Sequence, residues 1–261
     1  MKPQDRPARS TSDRANATYV YCLVQSPRAP QLRGGPRSVP GAGAPRLLAI
    51  DRDVWAVVAD APLERFAADV LQQELQDIDA ISRHALAHAA VIEFCFHRAP
   101  VIPLKLFTLF SNDETAREHV RGRLPALRRM FAALRGLEEW GVRIFAGEAE
   151  AEAARTLDSG RDYLQVKKRL HEQTMTPPRA TIRTTNSALR SLGRMASKSR
   201  RESFPPPGRG RPYVVGASFL VNAKRRSAWK AHAKKVGASL AAGGHRLDIS
   251  GPWPPYHFVS K

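Results

Sequence analysis

A chain of 261 residues accommodates one or two domains, and a hydrophobic content of 43% supports a packed core, which excludes wholesale disorder. Two cysteines, Cys22 and Cys95, each in an apolar segment, exclude a disulfide framework and a CxxC metal site, and read as buried free thiols in a reducing compartment. The net charge of +18 sits in one third of the chain: Val166–Arg246 holds 19 Lys and Arg against two acids, Glu172 and Glu202, whereas residues 1–165 hold 22 against 21. A patch of that kind attracts nucleic acid, an anionic membrane or an acidic protein surface.

Residues 1–18 are polar with no apolar run, and read as a flexible leader without a secretory signal. Thr18–Val24 is β-branched and aromatic, a strand. Residues 26–46 are rich in Gly, Pro and Arg and form a long loop. "RLLAI" and "VWAVVA" flank Asp51-Arg52-Asp53 and predict a hairpin with a tight turn. From Pro62 to Arg98 the apolar residues Phe66, Val70, Leu71, Leu75, Ile78, Ile81, Ala85, Ala89 and Ile92 step by three or four, which predicts one long helix or two. Val101–Phe110 follows as a buried extended segment, with Pro103 at an edge or bend. It is the best apolar run, yet it is ten residues long and contains Lys105, too short for a membrane span of about 20 residues.

Ser111-Asn112-Asp113-Glu114 has the form of a capping box, opening a helix that runs to about Arg135. Glu139–Ala146 is a strand. Asp158-Ser159-Gly160 separates two helical stretches, the second ending at Thr176-Pro177-Pro178. Residues 179–203 read as a basic amphipathic helix. Ile182, Asn186, Leu189, Leu192 and Ala196 share one face, and Arg183, Arg190, Arg194, Lys198 and Arg201 lie largely elsewhere. Phe204–Pro212 is a stiff basic loop, Tyr213–Val221 a strand, "SAWKAHAKKVGASLA" a helix and "HRLDIS" a last strand. The plan is α+β in two domains, an N-terminal α+β domain over 19–110 and a ferredoxin-like C-terminal domain over 111–261, carrying a basic helical segment over 166–211.

Catalytic motifs are absent: there is no GxxxxGK[ST], HExxH or GxSxG pattern. Gly41-Ala42-Gly43 is followed by Pro45 and opens no helix. His84 and His88 stand four apart on a helix, half of a zinc geometry, but Ala85 occupies the place of a metalloprotease glutamate. Two packed or solvated histidines are the simpler account. Asp51 and Asp53 could bracket a cation, though a turn with solvated carboxylates explains them more simply. No nucleophile, base and orienting group can be assembled, so neither a catalytic residue nor a cofactor or metal is assigned.

The chain nearly ends in "LDISGPWPPYHFV". This ending closely resembles the hallmark C-terminus of the gas vesicle GvpL/GvpF family. In order, "AVIEFCFHRAPVIPLKLFTLFSNDE", "EEWGVRIFA", "SGRDYLQVKKRL" and "YVVGASFLVNAKRRSAWKAHAKKV" resemble further family segments, so the similarity spans roughly Tyr19 to Val259. The resemblance implies a non-enzymatic accessory or minor structural protein of gas vesicle assembly. Its partners would be the small hydrophobic shell protein GvpA and other accessory proteins, and its location cytoplasmic, at the gas vesicle. It also implies two α+β domains, the second a modified ferredoxin-like fold.

Two departures stand out. Many members place glycine where Phe107 stands, and members are often acidic or near neutral, unlike the basic third here. The basic surface, Arg183, Arg190, Arg194, Lys198, Arg200 and Arg201, is a candidate partner face. The alternative is a nucleic-acid-binding module using residues 166–246, although Phe204, Tyr213 and Trp229 are too widely spaced for regular base stacking. Gly251, Pro252, Trp253, Pro254, Pro255, Tyr256 and Phe258 read as a structural lock: the prolines stiffen the backbone and the aromatics fold back on the sheet.

Overall fold

The computed structural model describes residues 16–74, 76–145, 179–202 and 213–259. The leader, the helices expected around Asp158-Ser159-Gly160 and before Thr176-Pro177-Pro178, and the Phe204–Pro212 loop lie outside them. The chain forms two compact units, Met1–Ala133 and Leu134–Lys261.

In the first unit, β1 (Asn16–Gln25), β2 (Arg46–Asp51), β3 (Val54–Pro62), β4 (Val101–Pro103) and β5 (Leu109–Phe110) form an antiparallel sheet in the order β2-β3-β1-β4, with β5 also on β1. The hairpin expected around Asp51-Arg52-Asp53 is β2–β3. β1 is buried without a break from Ala17 to Val24, so both of its faces are covered, which accounts for its unalternating apolar sequence. The expected Val101–Phe110 extended segment is two short strands around a turn, and Phe107 in that turn has φ of +59°.

The helical region is three helices, α1 (Leu63–Phe66), α2 (Ala68–Glu74) and α3 (Ile78–Phe96). Asp77 caps α3 by accepting the Asp79 N–H at 2.9 Å. The buried face of α3 is Ala80, His84, His88, Val91, Ile92 and Cys95, so the apolar stripe expected through Ile78 is rotated, and Ile78 and Leu86 are 78% and 72% exposed. Two histidines with internal hydrogen bonds take core positions that a hydropathy pattern assigns to apolar residues.

The next helix is two, α4 (Asp113–Arg121) and α5 (Leu124–Leu134), broken at Gly122-Arg123. The cap falls one residue later than expected. Asn112 accepts the Thr115 N–H at 2.9 Å, and Thr115 Oγ1 accepts the Asn112 N–H at 3.2 Å. The unit boundary lies at Ala133/Leu134 rather than near Ser111, because these helices are tied to the first sheet. Arg46 joins Asp113 and Asp60, Arg121 donates to Ile50 O at 2.9 Å, and Arg128 joins Asp51 and Asp53.

The second unit holds β6 (Leu137–Phe145), α6 (Arg179–Gly193), β7 (Lys198–Arg201), β8 (Tyr213–Asn222), α7 (Arg226–Ala242) and β9 (Arg246–Trp253). The antiparallel order β7-β8-β6-β9 with β-α-β-β-α-β connectivity is the ferredoxin-like arrangement. β7 was expected to be helix. The basic helix stops at Gly193, and Ser197 N–H bonds to Leu220 O at 2.8 Å as the chain turns back along β8. The buried side of α6 is Thr185, Ala188, Leu189 and Leu192, while Ile182 is 40% exposed. The core lies between the sheet (Trp140, Val142, Ile144, Val215, Ala217, Phe219, Val221) and the two helices (Leu189, Leu192, Trp229, Ala233, Leu240). Trp229 is its centre, with ring centroids 5.8 Å from both Trp140 and Phe219.

Candidate functional site

In β6 the sequence Glu138-Glu139-Trp140 places two adjacent acids on opposite faces of a strand. On the helix face, Glu138 is ion-paired with Arg226. On the open face, Glu139 is 2% exposed, and the segment after β9 crosses over it. His257 N–H donates to Glu139 Oε2 at 2.9 Å, and His257 Nδ1 lies 2.5 Å from Oε1. Ser218 Oγ is 3.1 Å from the same nitrogen, and Arg200 donates to His257 O at 3.0 Å. The Glu139 carboxylate holds the His257 imidazole above its ordinary range, against the opposing effect of partial burial.

β9 runs three residues further than expected, through Gly251 to Trp253, with a cis Gly251–Pro252 peptide. Gly251 has φ of +126°, and a Cβ there would sit 2.8 Å from Glu139 O and 3.2 Å from the Trp140 ring. No L side chain fits. Of the residues expected to lock the sheet, Pro254 and Pro255 are buried and Tyr256 and Phe258 half-buried, but Trp253 is 39% exposed, its Nε1–H on Ser250 Oγ at 3.2 Å. The polar anchor that the sequence reading missed is His257 on Glu139. Its one visible signal was an acid inside an apolar strand.

The six basic candidates do not form one helix face. Arg183 and Arg190 are on α6, Arg194 lies in the turn after it, and Lys198, Arg200 and Arg201 are on the edge strand β7. Arg190, Arg194, Arg200 and Arg201 line a groove of about 420 Å³ floored by Leu189, Ala217 and Phe219; Arg183 and Lys198 do not line it.

In the first unit the residues weighed as ligands have other partners. His88 Nε2 faces Leu104 O at 3.1 Å and must donate to it, so Nδ1 is the acceptor for the Tyr19 hydroxyl at 2.8 Å. Tyr19 Oη in turn accepts the Phe107 N–H at 3.2 Å. Burial pushes the Tyr19 phenol up and the His88 imidazole down, which keeps both neutral. His84 donates from Nδ1 to Ala80 O at 3.0 Å. Arg128 bridges the Asp51 and Asp53 carboxylates at 2.6 and 2.7 Å, standing where a cation would, and holds both below the usual carboxylate range. Cys22 and Cys95 are free and buried. The 26–46 loop is pinned by Tyr21, whose hydroxyl meets Ser38 Oγ at 2.5 Å and accepts the Val39 N–H at 3.1 Å. A cavity of about 560 Å³ under this loop reaches Val91 and Phe94, and Arg37 is its one charged lining residue among the described residues.

The model of the family "Gas vesicle synthesis protein GvpL/GvpF" matches residues 17–260. The chain belongs to the GvpL/GvpF family. Its role is therefore a gas-vesicle-related one. Gas vesicle protein L of Streptomyces sp. (strain CB03234) is 29% identical over 253 residues, 92% of each chain. Gas vesicle protein F2 of Halobacterium salinarum is 27% identical over 220 residues, 84% of this chain and 82% of that protein. The crystal structure of GvpF from Anabaena sp. PCC7120 has a TM-score of 0.66 at 17% identity, covering 94% of this chain and 97% of its own. That of GvpF from Microcystis aeruginosa has a TM-score of 0.62 at 13% identity, covering 94% and 99%. These structures share the fold of this GvpL/GvpF protein. Among its described residues, no helix is long and apolar enough to cross a membrane.

Proposed function

We propose that this GvpL/GvpF protein is a non-enzymatic accessory or minor structural component of gas vesicle assembly. It acts in the cytoplasm and at the vesicle through contacts with the apolar shell protein GvpA and other accessory proteins. The observation that carries this reading is the family match over residues 17–260. Two surface features support contact as the mode of action. Ile78 and Leu86 stand eight apart on α3, on one side of the helix, and are exposed apolar side chains suited to an apolar segment. The basic residues around β7 supply a charged surface that sets partner choice. The C-terminal lock, Gly251 to Phe258 with His257 on Glu139, serves the fold that presents these surfaces. The acid–base side chains weighed for chemistry, His84, His88, Asp51 and Asp53, are occupied by internal partners, which supports a binding role over a catalytic one.

The test is deletion of the gene in its native host with vesicles scored by electron microscopy, combined with co-purification of the tagged chain and the shell protein. Loss of vesicles, restored by the wild-type chain and weakened by Ile78→Asp/Leu86→Asp, is expected. Normal vesicles after deletion overturn the reading.

A further inference from the structure

Between Leu189 and Arg201 the sequence has five basic residues and no acid. The fold concentrates four of them. α6 ends at Gly193, the chain reverses, and β7 pairs with β8 alone, so it is the edge of the sheet among the described residues. Glu202 N–H donates to Gly216 O at 3.0 Å, which makes Glu202 and, by the antiparallel alternation, Arg200 and Lys198 the residues whose backbone bonds to β8. The N–H and C=O groups of Ser199 and Arg201 therefore point away from the sheet. All four residues of β7 are exposed.

Around this edge Arg190, Arg194 and Arg201 line the groove on the helix face, floored by Leu189 and Phe219, while the side chain of Arg200, the next residue along β7, lies on the opposite face against the C-terminal segment. None of the four is ion-paired to a carboxylate among the described residues. Arg201 bonds to Asn186 Oδ1, Arg194 to Ser191 Oγ and Arg200 to His257 O. Elsewhere Arg46, Arg128 and Arg226 are each ion-paired. Arg190, Arg194 and Arg201, three like charges on one groove with no ion-paired carboxylate among the described residues, repel one another, a cost that an incoming anion removes. Positive charges on a sheet edge also turn away basic and uncharged strands, and an acidic strand is the one they admit. The exposed backbone favours a peptide over a nucleic acid. So does the burial of the nearby rings, Phe219 and Trp229 at 1% and 0% exposed, which offer no stacking platform.

We propose that β7 is the docking edge for an extended acidic segment of a partner protein. The segment adds as a further strand, its backbone pairing with Ser199 and Arg201. Alternate carboxylates meet Arg190, Arg194 and Arg201 on the helix side and Arg200 on the opposite side. This deepens the assembly reading and rests on it for the partner being a protein.

The test is fluorescence anisotropy of the full chain with a labelled peptide of about nine residues alternating Glu and Thr. Two controls accompany it: a Gln-for-Glu version, and a version N-methylated at alternate residues, which keeps the charge and loses the backbone donors. The parent peptide is expected to bind. The N-methylated peptide and the Arg190→Gln/Arg194→Gln variant should each weaken binding by about tenfold or more, with the thermal midpoint of the variant unchanged. Equal binding of the N-methylated peptide, equal binding of the Gln peptide, or tighter binding of an oligothymidylate of similar length would each overturn the proposal. Failure here with vesicles still lost on gene deletion removes the docking edge alone. Normal vesicles after deletion remove the assembly reading and leave the peptide result to stand by itself.

Discussion

Glu139→Gln isolates the anchor of the C-terminal segment, because it keeps the volume and removes the charge. The carboxylate is 3% exposed and its imidazole partner 47% exposed. Breaking a fully buried pair costs about 3–5 kcal/mol, and breaking an exposed one about 0–1 kcal/mol. With one partner desolvated and the other half in water, the loss should be about 2 kcal/mol near pH 6. The pH dependence follows from the raised proton affinity of His257. A group bound more tightly to its proton in the folded state contributes stability that is fully present below its unfolded value of 6.5 and is lost as pH rises through the folded value. Each tenfold difference in proton affinity corresponds to about 1.4 kcal/mol, and the half-exposed ring delivers a fraction of that. The charged groups facing the imidazole are Glu139 from β6 and Glu202 and Arg200 from the β7 side, the first two raising and the last lowering it. The assay is thermal unfolding of wild type, Glu139→Gln, His257→Gln and the double variant from about pH 5.5 to 8.5, the range in which an imidazole titrates. Wild type should lose stability relative to His257→Gln across that range, and the double variant should match the less stable single variant. Parallel pH profiles for wild type and His257→Gln would refute the reasoning.

Phe107 holds a left-handed backbone conformation, φ +59°, and its ring lies 5.3 Å from His84. Phe107→Gly and Phe107→Ala both lose the ring, but glycine relieves the strain, so the glycine variant should be more stable by about 1 kcal/mol in chemical denaturation. Tyr19→Phe removes a hydroxyl that serves both His88 Nδ1 and the Phe107 N–H and should cost about 2 kcal/mol; a neutral substitution would show that this buried chain of bonds contributes nothing. Gly251→Ala forces a Cβ against Glu139 O at 2.8 Å and should lower the melting temperature more than Trp253→Ala, whose ring is 39% exposed. The reverse order would make Trp253, as the sequence suggested, the chief lock.

Local signals were legible wherever one residue type has one conformational consequence. β1, the β2–β3 hairpin, the stop before β4, β8, α7 and the proline-rich ending all follow from β-branched runs, turn residues and fixed proline φ. The cap of α4 is ambiguous by one residue in the sequence because Ser, Asn and Asp in succession are all competent caps, and only the tertiary pairing of Asp113 with Arg46 frees Asn112 for the role. The basic stretch after Gly193 has the composition of a helix because Arg and Lys tolerate helices well. The open edge of β8 instead recruits Lys198–Arg201 as a strand, a choice made by long-range hydrogen bonds that a window of sequence does not contain.

What the sequence by itself determined was the family, through its ordered segments and C-terminal hallmark, the α+β class and the confinement of charge to one third of the chain. These are properties of neighbouring residues. What only the tertiary structure decided was which distant groups meet: His257 with Glu139 across 118 residues, His88 with Tyr19 across 69, and arginines of a helix, a turn and a strand around one groove. Strand pairing and helix docking set those distances. The physical reason is that a buried carboxylate, a buried imidazole and an unneutralised cluster of guanidinium groups acquire their energies from surroundings assembled by folding, not from their neighbours along the chain.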